Sequence, residues 1–200
     1  MKGVSVQRVG DIPAEPWKNG GGLTRTLARG KNFWRVSLAS IDQDGQYSRF
    51  PDTTRLSVIL RGAGVILRRP GAVVELPPLI PAVYDGDAIW DACLVEGPCV
   101  ALNVMARTDA HRISAVPIDG PIAVPPDTVG VVLADHASLR LHDSEGATLD
   151  LHPGQFAVLA PCASARGIAF ADPCYAGPPS FLVWVASLDK TFPTLTDHTP

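Results

Sequence analysis

Apolar residues in this chain recur at every second position in short runs, and no stretch sustains the 3.6-residue period of an amphipathic helix. Trp34-Arg35-Val36-Ser37-Leu38-Ala39-Ser40 alternates in this way. So does Arg55-Leu56-Ser57-Val58-Ile59-Leu60-Arg61, which breaks at Gly62-Ala63-Gly64. Val65–Arg68, Ala72–Leu76 and Val100–Met105 follow. Each run stops at Gly, Pro or Asp, residues that set turns by fixing or freeing φ. The 18 glycines and 19 prolines among 200 residues suit such frequent punctuation. The chain therefore reads as all-β, built from many short antiparallel strands.

The order of runs returns after roughly 70 to 80 residues, a module-sized period. Val129–Ala134 parallels Leu56–Arg61, Ser138–His142 parallels Gly64–Arg68, and Ala147–Leu151 parallels Ala72–Leu76. Phe156–Leu159 takes the place of Pro81–Tyr84, and Phe181–Ala186 that of Cys99–Met105. Two modules of about six strands suggest two small barrels or jelly rolls, with a sandwich as the competing arrangement. The expected division is 1–108 and 109–200. Asp109–Pro126, rich in proline, reads as the connection, and Lys190–Pro200 as a tail strand or a partly ordered end. Polar side chains gather on the strands of the first module, so that module is expected to do the chemistry and the second to support it.

Net charge is −3 with a pI near 5.9, which argues against an electrostatic grip on nucleic acid or anionic lipid. No apolar run approaches the length of a membrane helix, and Met1–Arg8 carries no signal-peptide core, so the expectation is a cytoplasmic protein. Cys93, Cys99, Cys162 and Cys174 form no Cys-x-x-Cys pair. Buried thiols are the expectation, with a Cys162–Cys174 disulfide as the alternative in an oxidising setting.

The densest mixture of functional groups is Pro16-Trp17-Lys18-Asn19-Gly20-Gly21-Gly22-Leu23-Thr24-Arg25. Its glycines permit positive φ or close backbone approach, as in a flexible loop or in a site that grips a small polar molecule. It is neither of the familiar phosphate-binding loops: the lysine precedes the glycines, and the third glycine of G-x-G-x-x-G is missing.

These residues, followed by Trp34–Ala39, by Asp44-Gly45-Gln46-Tyr47-Ser48-Arg49-Phe50-Pro51, by Arg55 and Val58–Gly64, and by Tyr84–Asp87 and Leu102–Met105, resemble the HutD/Ves family. The similarity runs in order from about residue 7 to 107 and is carried beyond 110 by length and strand pattern. It implies a bicupin fold, two cupin-like barrels in one chain, and a bacterial source. It also implies an accessory or regulatory role in histidine utilisation with a small metabolite such as formylglutamate or urocanate as ligand; the Ves branch is tied to environmental stress. The chain departs from the family pattern at Gln46-Tyr47-Ser48, at Pro51-Asp52-Thr53 and at Ala101, changes that bear on which ligand is preferred.

Metal-binding cupins carry clustered histidines, whereas Ser48–Gly64 contains none. His136, His142 and His152 are spaced by six and ten, although His142, Asp150 and His152 could meet across a hairpin. No metal and no cofactor are expected. No G-x-S-x-G elbow is present, and no cation stands beside Cys93 or Cys99 to activate it. What remains is a binding constellation. Lys18, Arg25, Arg35, Arg49 and Arg55 supply cations, and two arginines inside a barrel would cost several kcal/mol unless an anion paired with them. A carboxylate would serve. Asn19, Ser37, Ser48 and Asn103 would orient it, and Trp17, Trp34, Phe50 and Met105 would wall it. The leading expectation is a metal-free bicupin that binds a small carboxylate without catalysis. The alternatives are a metal-independent isomerase or hydrolase on a similar ligand, and a protein–protein module. Pairing of two copies through sheet edges is a further expectation.

Overall fold

The computed structural model describes residues 1–188, so the tail foreseen at Lys190–Pro200 lies outside the described residues. The strands are β1 (Val4–Arg8), β2 (Glu15–Pro16), β3 (Gly22–Gly30), β4 (Trp34–Ile41), β5 (Gly45–Tyr47), β6 (Thr53–Arg61), β7 (Val65–Arg69), β8 (Ala72–Leu76), β9 (Ala82–Asp85) and β10 (Trp90–Leu94). They continue with β11 (Cys99–Arg107), β12 (His111–Ile118), β13 (Ile122–Val124), β14 (Val129–Ala134), β15 (Leu139–His142), β16 (Thr148–Leu151), β17 (Gln155–Leu159), β18 (Arg166–Phe170) and β19 (Ser180–Ser187). One 3-10 turn, Val9–Asp11, is the helical element among the described residues.

The first barrel joins a six-stranded sheet, ordered β2-β3-β4-β11-β6-β9, to a four-stranded sheet, β5-β10-β7-β8. The second joins β1-β17-β14-β19-β12 to β13-β18-β15-β16. The recurrence read from the sequence corresponds to β6/β14, β7/β15, β8/β16, β9/β17 and β11/β19. The first strand departs from the division at 108/109, because β1 pairs along its length with β17 of the second barrel. The segment read as a proline-rich connection holds two strands, β12 and β13. Pro117 is tolerated because β12 is an edge strand, where one face of the backbone needs no ladder donor.

Period-two alternation explains the packing. Val36 and Leu38 of β4, Leu56, Val58 and Leu60 of β6, and Leu102 and Val104 of β11 share one core with Val131, Leu133, Phe156, Phe181 and Val183 of the second barrel. The two large sheets thus pack face to face, and each turns its other face into its own barrel. The first barrel's core includes Ile41, Ile59, Leu67, Leu76, Cys99 and Ala101, and the second's includes Leu139, Leu141, Leu151, Leu159 and Leu182. All four cysteines are free thiols, so the Cys162–Cys174 disulfide does not form here; Cys99 is buried, Cys93 and Cys162 half-buried and Cys174 exposed.

Candidate ligand site in the first barrel

Inward-facing residues of β4, β11 and β6 lie side by side in layers, because the three strands pair in register. Arg35 is opposite Met105, and Met105 opposite Arg55. Two residues further, Ser37 is opposite Asn103, and Asn103 opposite Ser57. Then come Ala39, Ala101 and Ile59. A strand rises by about 3.3 Å per residue, so successive layers are about 6.6 Å apart. The interior passes from guanidinium to hydroxyl and amide to hydrocarbon within three layers.

The second barrel has the same registers with different contents. Ser114, Trp184 and Gly130 form the layer that corresponds to Arg35, Met105 and Arg55. Val116, Leu182 and Val132 correspond to Ser37, Asn103 and Ser57. The Trp184 indole packs on that barrel's core, and a Cβ on Gly130 would stand 3.0 Å from Val124 Cγ1, so an arginine has no room. The polar layers belong to the first barrel alone among these two.

Arg55 is 6% exposed. Its guanidinium carbon lies 5.0 Å from the Tyr47 ring centroid, 5.1 Å from Tyr84 and 5.6 Å from Phe50. Its Nη1 donates to the Ser48 carbonyl at 3.4 Å. Arg35 also reaches Phe50, at 5.7 Å, and its Nη2 contacts Met105 Sδ at 3.5 Å. Nε of both arginines is buried without an acceptor. Among the described residues no carboxylate forms an ion pair with either one. Burial first, and then the charge of Arg55, hold the Arg35 pKa below its usual value, with Glu15 opposing from a distance. Burial likewise pushes the Tyr47 phenol up, reinforced by Tyr84.

One layer deeper, Ser57 Oγ lies 2.6 Å from Asn103 Oδ1 and 2.9 Å from Tyr84 OH. The amide oxygen can only accept, so Ser57 donates to it, and Tyr84 must then donate to Ser57. The direction of this chain leaves the Asn103 amide hydrogens as donors. Together with the guanidinium groups and the Ser37 hydroxyl, they give the polar layers an excess of donors, suited to an anion.

The structure gathers Arg35, Ser37, Phe50, Arg55, Asn103 and Met105 of the predicted set. Trp17 forms a side wall, edge-on to Tyr47 at 5.9 Å with its indole donating to Thr24 Oγ1 at 2.7 Å. Asn19 is exposed and structural: its Oδ1 accepts from Gly21 N at 3.0 Å and its Nδ2 donates to the Gln46 carbonyl at 3.3 Å. Ser48 contributes its carbonyl, not its exposed side chain. Four residues of the expected set stand outside these layers. Lys18 is exposed on the turn closed by Gly20 N and the Trp17 carbonyl, outside the layers. Arg25 is in register with Leu38, on the face turned to the other barrel, and donates to the Ile12 carbonyl. Trp34 belongs to the core between the barrels. Arg49 pairs at the surface with Asp87 at 2.6 Å.

Tyr47, Ser57 and Tyr84 were not singled out from the sequence. Ser57 carried a signal, since it stands two residues from Arg55 on one alternating strand. Tyr84 needed the β6–β9 register, which sets it opposite Arg55. In the second barrel the hydrogen bond from Arg140 lowers the Asp150 pKa from its ordinary value, and His152 Nδ1 faces Ser138 Oγ at 3.3 Å. Among the described residues no three His, Cys, Asp or Glu side chains come together as a metal site.

The family model described as HutD matches residues 10–172. Protein Ves of Citrobacter koseri is 31% identical over 139 residues, covering 66% of this chain and 73% of that protein. An uncharacterised 21.2 kDa protein in the hutC 3' region of Pseudomonas putida is 30% identical over 129 residues, covering 60% and 67%. HutD from Pseudomonas fluorescens SBW25, solved in a formate condition, superposes with a TM-score of 0.74 at 23% identity, over 92% of this chain and 98% of that one. The architecture extends to a cupin barrel protein from Leptotrichia buccalis, with a TM-score of 0.54 at 9% identity over 92% and 96%. The fold is thus that of the bicupins, and the chain belongs to the HutD family.

Proposed function

We propose that this protein binds a small carboxylate metabolite between Arg35 and Arg55 in the first barrel, without a metal, and serves as an accessory or regulatory factor of histidine utilisation. One observation carries the reading: the buried Arg55 and the half-buried Arg35 share a layer, each has a buried Nε without an acceptor, and no acid of the described residues forms an ion pair with them. A carboxylate supplies the missing charge and acceptors, and arginine takes it in a bidentate fork. Aromatic rings of Tyr47, Phe50 and Tyr84 meanwhile hold the Arg55 cation in place. The hutC-region relative and the family match favour a ligand from histidine breakdown, with formylglutamate and urocanate as the candidates.

Titration calorimetry of both acids against the wild type, Arg35→Gln and Arg55→Met tests this. A charge-assisted hydrogen bond is worth about 1.5–3 kcal/mol, so either substitution lowers affinity by roughly ten- to a hundredfold. Unchanged affinity in both variants would contradict the reading.

A further inference from the structure

The second barrel carries a cation that its structural task does not require. Arg166 opens β18 and pairs with Val124, the last residue of β13. Trp90 has the same place in the first barrel: it opens β10 and pairs with Tyr47, the last residue of β5. Each fastens a carbonyl at the end of a nearby strand. The Trp90 indole donates to the Asp85 carbonyl at 2.8 Å, and Arg166 Nη1 to the Ala160 carbonyl at 2.7 Å. A neutral N–H donor suffices for this contact in one barrel, so the charge in the other calls for a separate reason.

Arg166 is 7% exposed. Its Nη2 donates to the Lys2 carbonyl at 3.2 Å, so two of its five N–H groups meet neutral oxygens. The guanidinium lines a cavity of about 360 Å³ that is also bordered by Lys2, Asp143 and Glu145. Two cations and two carboxylates thus surround one space, and among the described residues none of the four forms an ion pair. Asp143 is held in place: its Oδ1 accepts from Glu145 N at 3.0 Å and from Ala147 N at 2.9 Å. Its Oδ2 has no hydrogen-bond partner among the described residues. Pro161 and Ala165 give the cavity an apolar wall.

We infer that this cavity binds a free α-amino acid as its zwitterion, the carboxylate against Arg166 and Lys2 and the ammonium group against Asp143 and Glu145. A buried guanidinium without an acid gains most from a carboxylate, which it takes in charge-assisted hydrogen bonds. A dicarboxylate would meet the two acids and a diamine the two cations. The zwitterion answers both signs within one small group and leaves the charge of the cavity unchanged. A space of this size lies at the lower end of small-molecule pockets and suits one amino acid. The site is separate from Arg35 and Arg55, which belong to the other barrel.

The test titrates L-alanine and L-histidine into the isotope-labelled full chain and reads amide shifts. At least one of them saturates shifts at Gly3, Ser144, Ala165 and Arg166. The matching compounds without the ammonium group (propionate, imidazolepropionate) and without the carboxylate (ethylamine, histamine) bind there at least about fivefold more weakly, as the loss of one charge-assisted contact requires. Asp143→Asn keeps the oxygen that accepts from the two amides, so the turn persists, and it weakens the amino acid by a similar factor. The Arg35→Gln, Arg55→Met double variant leaves these shifts as they are. No saturable shift at these amides with either amino acid, binding of a one-charge compound that is weaker by less than fivefold, or an unchanged affinity in Asp143→Asn overturns the site. So does loss of the shifts in the double variant. The acid-binding reading fails separately, if neither formylglutamate nor urocanate binds the first barrel.

Discussion

Arg55 is held by three aromatic rings and one carbonyl but by no acid, and this shapes what its replacement does. Cation–π contacts return about 0.5–2 kcal/mol each at such a site, less than the several kcal/mol that burial of an uncompensated cation costs. Arg55→Met keeps the volume and removes the charge. Thermal melts of the ligand-free protein should show it more stable than the wild type by about 1–3 kcal/mol, although it binds acids worse; a destabilised variant would mean that the guanidinium is already satisfied. Tyr47 gives a pH signature. Its folded pKa lies above the unfolded value of about 10, so its contribution to stability is whole below about pH 10 and is lost as pH rises beyond that. Unfolding in urea at pH 9 and 11 should show a smaller alkaline loss for Tyr47→Phe than for the wild type, and equal losses would remove Tyr47 from the cause. Arg35, Ser37 and Asn103 were legible in the sequence because alternation puts every second residue on one face. Lys18 and Arg25 were misplaced because a cation near a glycine run carries no mark of which way it points; register alone decides that.

Strand alternation was legible wherever Gly or Pro bounded a run, and β4, β6, β7, β8 and β11 were read close to their observed limits. β12 was missed because Pro117 and the prolines that follow it suggested a linker, while tertiary pairing with β19 overrides that local signal. β3 was hidden by the three glycines that precede and open it. Gly22 is where this element is most exacting. A Cβ there would overlap the Ser40 carbonyl oxygen, a backbone atom that cannot retreat without parting β3 from β4. Gly22→Ala should cost about 2–4 kcal/mol by chemical denaturation, in the range of severe steric substitutions, and move Trp17 off Tyr47, visible in near-ultraviolet circular dichroism. A neutral substitution would show that the strand pair can open freely at this point. Gly20, with φ of 71° and open space where a side chain would begin, needs glycine for its backbone alone.

At the scale of the molecule the two barrels are not separable pieces. Their large sheets share the core that includes Val36, Val104, Phe156 and Phe181, β1 belongs to the second barrel although it begins the chain, and Arg61 bridges to Asp135 at 2.9 Å. The repeat in the sequence announced two modules; the crossing of the first strand was invisible because β1 has no local feature that names its partner. The second barrel fills its interior with Trp184 and leucines, while the first keeps one layer with two arginines and one of hydroxyl and amide groups. Binding of an acid at those layers, as proposed, would stabilise the whole fold, and thermal unfolding reads it most directly. Melts in the presence of formylglutamate or urocanate at a hundred times the dissociation constant should be raised by about 2.7 kcal/mol, roughly 5–10 °C for a chain of this size, with the shift abolished in the Arg35→Gln, Arg55→Met double variant. No shift with any small carboxylate, or an equal shift in the double variant, would contradict the account.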